Sequence, residues 1–143
     1  MVVIGIDPGS AKCGIAVVSG DAGTVVRKVV PTSDIGALAA EFAIQFKPDA
    51  IVIGNGTGSA RTIKAVEESL SALNANGTLE IVDEYYTSEA ARKQAIAEEH
   101  PVGLRRLIPR SLRSPLSAYD DIVAEILAKR WIAKQAGGQE QHI

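Results

Sequence analysis

The stretch VVIGIDPGSAKCGIAVV, residues 2–18, places an acid at the end of one apolar run and a second apolar run just beyond it. Val2, Val3, Ile4 and Ile6 suit the middle of a sheet, and Ile15 to Val18 suit its neighbour. The link Asp7-Pro8-Gly9-Ser10 is rich in turn formers and too short for a crossover, so the two runs pair antiparallel. Asp7 therefore closes a sheet strand. It is either an ordinary turn residue or the first ligand of a metal or phosphate site.

The rest of the chain fixes where that strand sits. Residues 2–7, 12–19 and 24–31 read as three strands, the last two joined through SGDAGT. Residues 33–46 have helical spacing, with Thr32 or Ser33 as N-cap and Ile35, Leu38, Ala39, Phe42 and Phe46 on one stripe. A strand over 50–54 runs into the Gly-rich turn GNGTGS and a helix over about 59–74. A strand over 79–83 follows, then a helix from about Thr87 to Glu99 and a last helix from about Ser117 to Gln135. Strand–helix–strand alternation implies right-handed parallel crossovers. The order βββαβαβα predicts an α/β fold with a five-stranded mixed sheet, strand order 3-2-1-4-5, flanked by helices. The first strand is then central, and Asp7 lies at its carboxyl end, a favoured ligand position.

At 143 residues, of which 46% are apolar and 22% charged, the chain reads as one soluble globular domain over 1–135 with a polar, disordered tail over 136–143. Apolar runs fall short of membrane-spanning length, and the N-terminus lacks a signal-peptide pattern. The lone Cys13 rules out an internal disulfide and points to a reducing, cytoplasmic setting. A net charge of −2 demands no nucleic-acid partner. From Pro101 to Tyr119, however, Arg105, Arg106, Arg110 and Arg113 occur without any acid. That segment is either a solvated loop or a surface for phosphates.

Three places along the chain offer acids that the fold would gather. Asp7 ends the first strand, Glu84 ends the last, and Asp120 and Asp121 open the last helix. Asp120, Val123 or Ala124, Leu127 and Trp131 share the apolar stripe, which turns Asp120 toward the sheet. Asp121, Glu125 and Lys129 form a polar stripe, in which Glu125 and Lys129 can pair at i, i+4 and Asp121 turns toward water. Convergent carboxylates repel unless cations neutralise them, and hard oxygen ligands suit Mg²⁺ or Mn²⁺. Two such ions can activate water and stabilise the leaving oxygen of a phosphodiester.

These residues resemble the YqgF family, also called RuvX, of the RuvC and RNase H-like superfamily. GIDPGSAKCGIAV is similar to the family's D-x-G-x-x-x-x-G first strand, VDEYYTSEAA to its D-E-R-x-[ST]-x-x-A motif, and YDDIVAEIL to its closing D-x-x-A-A helix. The similarity spans roughly residues 2–130. It implies an RNase H-like fold and a nuclease using Mg²⁺ or Mn²⁺, two ions in all. The partners it implies are branched DNA, single-stranded DNA or precursor ribosomal RNA, in Holliday-junction resolution or pre-16S processing. A homodimer suits a symmetric junction. Carried over by position, the catalytic and metal-binding acids are Asp7, Glu84 and Asp120, with Asp121 as a fourth candidate. On that reading Arg105, Arg106, Arg110 and Arg113 would grip the nucleic-acid backbone, and Lys12, near Asp7, is either a further nucleic-acid contact or a solvated turn residue.

The match has departures. Tyr85 replaces the arginine of D-E-R, which alters any phosphate contact made there. Gly54 and Asn55 stand where RuvC resolvases carry an acid, and IGNGTGS resembles the YqgF-like domain of Tex proteins, thought to have lost nuclease activity. A binding module of that kind is the competing reading. An actin-like or sugar-kinase ATPase comes last, because two such domains must close on a nucleotide.

Overall fold

Alternation along each strand decides which face its side chains meet. In the computed structural model, which describes residues 1–56, 58–83, 93 and 120–140, the strands are β1 (Val2–Asp7), β2 (Lys12–Ser19), β3 (Gly23–Pro31), β4 (Ala50–Gly54) and β5 (Leu79–Val82). They form one sheet in the order β3-β2-β1-β4-β5, as the connection lengths predict. β1 pairs antiparallel with β2, and β2 with β3; β1 pairs parallel with β4, and β4 with β5. Each parallel step is bridged by a helix, α1 (Ile35–Phe46) between β3 and β4, and α2 (Ser59–Ala72) between β4 and β5.

Ile4 and Ile6 of β1 turn to one face with Ile15 and Val17 of β2 and Ile51 and Ile53 of β4. There α1 and α2 cover them through Ile35, Ala39, Phe42, Val66 and Leu70. Val3 turns to the opposite face with Ala16, Val18, Ala50 and Val52. That face is covered by α3 (Asp120–Glu140), through Ile122, Val123, Ala124, Leu127 and Ala128. With a buried aliphatic side chain contributing about 2 kcal/mol, the two clusters hold the sheet from both sides. Among the described residues, no helix is long and apolar enough to cross a membrane.

Two local expectations change. Thr32 and Ser33 do not cap α1; Thr32–Asp34 form a single 3₁₀ turn, and no side-chain cap bond is made at the start of the helix. The Thr32 hydroxyl instead donates to the Gly9 carbonyl at 2.8 Å, tying this turn to the β1–β2 hairpin. The last helix continues to Glu140, past the Gln135 at which its polar, Gly-rich end suggested a stop. A helix already anchored by packed turns can run through Gly137 for about 1 kcal/mol. The helix expected over Thr87 to Glu99 and the arginine segment lie outside the described residues.

Candidate active site

Asp7 is half-buried at the carboxyl end of the central strand. Alternation puts it on the face of Val3 and Gly5, the face that α3 covers. Across the ladder it is paired with Gly14 of β2. Gly14 lacks a side chain for a steric reason. A methyl group there would overlap the Asp120 carbonyl, and one on Gly5 would overlap the Ala124 carbonyl. The α3 backbone thus rests directly on β1 and β2, and its first turn sits over the strand partner of Asp7. Asp7 and Asp120, both half-buried, come to one end of one sheet face.

Asp121 has a different neighbour from the one its helical stripe suggested. Its Oδ2 lies 3.0 Å from Nε of Arg27 on β3, and its Oδ1 accepts from the Ile122 N–H at 3.0 Å. Glu125, one turn on, is only 4% exposed and receives Arg27 Nη1 at 3.3 Å and Lys129 Nζ at 3.0 Å. Asp121 and Glu125 therefore face Arg27 of β3 rather than water, while Lys129 stays exposed and pairs with Glu125 as its i, i+4 spacing suggests. The cause is Arg27, which crosses from the neighbouring strand and holds two successive acids of the helix. Nothing local in the sequence signals this, because Arg27 and Glu125 are 98 positions apart. Gly5 and Gly14 did carry a signal, since glycine inside an apolar strand marks a close backbone approach.

Replacing Arg27 with Met leaves the buried Glu125 paired with Lys129 and takes the guanidinium away from Asp121. The expected loss is about 2 kcal/mol, below the full value for a buried pair because the Arg27 side chain is 27% exposed. A urea unfolding curve measures it, and an unchanged midpoint would show that the cluster does not anchor α3.

Glu84, Arg105, Arg106, Arg110 and Arg113 lie outside the described residues. Lys12 is exposed at the start of β2, beside the hairpin that carries Asp7. Cys13 is buried on the α1 face, with Sγ 3.5 Å from Thr32 Oγ1. Among the described residues, no three His, Cys, Asp or Glu side chains gather closely enough to hold a metal ion. Asp7 and Asp120 provide two carboxylates of the hard-oxygen type that Mg²⁺ and Mn²⁺ take, and Asp121 is committed to Arg27. That donor chemistry fits such a cation, with part of the ligand set to come from elsewhere.

The architecture has a solved counterpart. The structure of RuvC from Thermus thermophilus matches with a TM-score of 0.55 over 90% of this chain and 90% of that one, at 19% identity. The fold is RNase H-like. No family model matches the chain, and no curated protein matches it in sequence. In this RNase H-like sheet, the central strand ends on Asp7 and the closing helix opens on Asp120, as the strand order implies.

Proposed function

We propose that this chain is a cytoplasmic, divalent-metal-dependent nuclease that hydrolyses phosphodiester bonds in nucleic acid, in the manner of the YqgF/RuvX proteins its motifs resemble. One observation carries the reading: a half-buried Asp7 ends the central strand on the face where the first turn of α3, bearing Asp120, rests on its strand partner Gly14. Carboxylates at the same end of one sheet face suit a divalent cation, which would offset the repulsion between them. Asp7, Asp120 and Glu84 are the residues that would hold Mg²⁺ or Mn²⁺. Ions of this class supply Lewis acidity at a phosphoryl oxygen and lower the pKa of water.

The chain's own groups do the rest. Arg27 fixes Asp121 and Glu125, so the first turn of α3 keeps its place over β2. Lys12, beside the site, and Arg105, Arg106, Arg110 and Arg113 grip backbone phosphates. The substrates that fit are branched DNA, single-stranded DNA and precursor ribosomal RNA, and a pair of copies suits a symmetric junction.

The test is a panel of a four-way junction, single-stranded DNA and precursor ribosomal RNA, incubated with Mg²⁺, Mn²⁺ or EDTA. Cleavage of at least one substrate, dependent on the metal and lost in EDTA, is the expected result. Tight binding with no turnover on any of them would replace the nuclease with a binding module. The engagement of Asp121 by Arg27 favours that second reading, because it removes one acid from the ligand set.

A further inference from the structure

On the side of the sheet away from α3, a cavity of about 350 Å³ opens between the β1–β2 hairpin, the 3₁₀ turn and the first turn of α2. Its polar lining is Ser10, Thr32, Ser33, Arg61 and Thr62. All five are hydrogen-bond donors, and none is an acid.

Two features make it a built site rather than a surface dent. Thr62 is 1% exposed, and its Oγ1 is a buried polar atom with no hydrogen-bond partner among the described residues. Such a group costs free energy unless something meets it. Meanwhile α2 starts on Gly58, at φ +85°, a conformation that glycine adopts without strain. This N-cap has no side chain to bond the first turn, which leaves the positive end of a 14-residue helix for another acceptor. Arg61, in that first turn, is exposed and makes no hydrogen bond or ion pair among the described residues.

The surroundings hold the cavity in shape. A methyl group on Gly58 would come within 3.6 Å of the Gly9 backbone, so the Gly-rich turn sits against the hairpin. Thr32 is bonded to the same Gly9 carbonyl and, through its own N–H, to the Ala11 carbonyl at 2.9 Å. The hairpin, the 3₁₀ turn and α2 thus meet at one point.

We propose that this cavity binds a tetrahedral oxyanion of the phosphate class. Arg61 supplies the charge, Ala60 and Arg61 their N–H groups, since those of Ser59 and Thr62 already donate to the Gly56 and Gly58 carbonyls, and Thr62, Ser10 and Ser33 their hydroxyl groups. The phosphate is either free orthophosphate or one group of a nucleic-acid backbone; the recognising chemistry is the same. The site is separate from Asp7 and does not depend on cleavage there.

The experiment uses the full chain and inorganic phosphate, with chloride at matched ionic strength as the control. Amide resonances of Ala60, Arg61, Thr62 and Ser33 are expected to shift saturably with phosphate and not with chloride. Arg61→Gln is expected to weaken binding about tenfold, the loss of one charge-assisted bond. Thr62→Val should weaken it too while leaving the phosphate-free melting temperature unchanged or higher, and Thr62→Ser should retain binding. Non-saturable shifts, or wild-type affinity retained in Arg61→Gln and Thr62→Val, would overturn the site. A single-stranded oligonucleotide then separates the sources. If it moves the same amides and competes with phosphate, the ligand is a backbone phosphate; if phosphate binds and the oligonucleotide leaves these amides alone, it is free phosphate.

Discussion

Asp7→Asn is expected to lower metal-dependent cleavage by about 10³-fold, the scale of losing one charged group that acts at a reacting phosphate. Asparagine keeps the shape of the side chain and its strand position opposite Gly14, so the sheet is retained. What disappears is a negative charge at the carboxyl end of β1, and with it the hold on a divalent ion. The substitution should therefore change two independent readouts. Cleavage falls, and the rise in melting temperature that Mn²⁺ gives the wild-type chain shrinks, because a ligand that binds the native state stabilises it by mass action. Nucleic-acid affinity in EDTA should stay within about twofold, since phosphate grip comes from cationic groups. Undiminished cleavage by Asp7→Asn would sink the site assignment.

Gly14→Ala should destabilise the fold by about 3 kcal/mol, toward the upper end for forcing an atom into packed structure. The added methyl group meets the Asp120 carbonyl, which is backbone and has no rotamer by which to retreat. The first turn of α3 must lift, and Asp120 moves away from Asp7 as it does. Loss of stability and loss of cleavage should thus appear together. Gly137→Ala is the matched control, because a methyl there meets nothing within 4 Å in the same helix. It should stabilise by about 0.5–1 kcal/mol, the ordinary helix preference for alanine. Chemical denaturation of the two variants reads opposite signs from one kind of substitution. Equal effects would mean that α3 does not lie at backbone contact with β2.

These two positions show what was legible in the sequence and what was not. The central place of β1 followed from Asp7-Pro8-Gly9-Ser10, which is too short to cross a sheet, and from the later strand–helix alternation. The inward side of α3 followed from the spacing of Val123, Leu127 and their neighbours. The Glu125–Lys129 pair followed from spacing, but the orientation of Asp121 did not, because helical periodicity reports the chemistry of a face and not what lies opposite it. A charged stripe looks the same whether it meets water or the guanidinium of Arg27. Thr32 was misread for a related reason: its hydroxyl had two possible acceptors, and the one chosen, the Gly9 carbonyl, is close only after the hairpin has formed. The empty cap of α2 and the Thr62 hydroxyl without a partner among the described residues are properties of packing and left no trace in local pattern.

The backbone contact of α3 with Gly5 and Gly14 has a consequence for synthesis. The hairpin that bears Asp7 leaves the ribosome some hundred residues ahead of α3, yet the surface built around Val3, Ala16, Val18 and Val52 is covered only when residues 120 onward emerge. Until then, an oily strip of sheet faces solvent. A nascent chain of this protein is sticky along that strip until the closing helix settles onto Gly5 and Gly14.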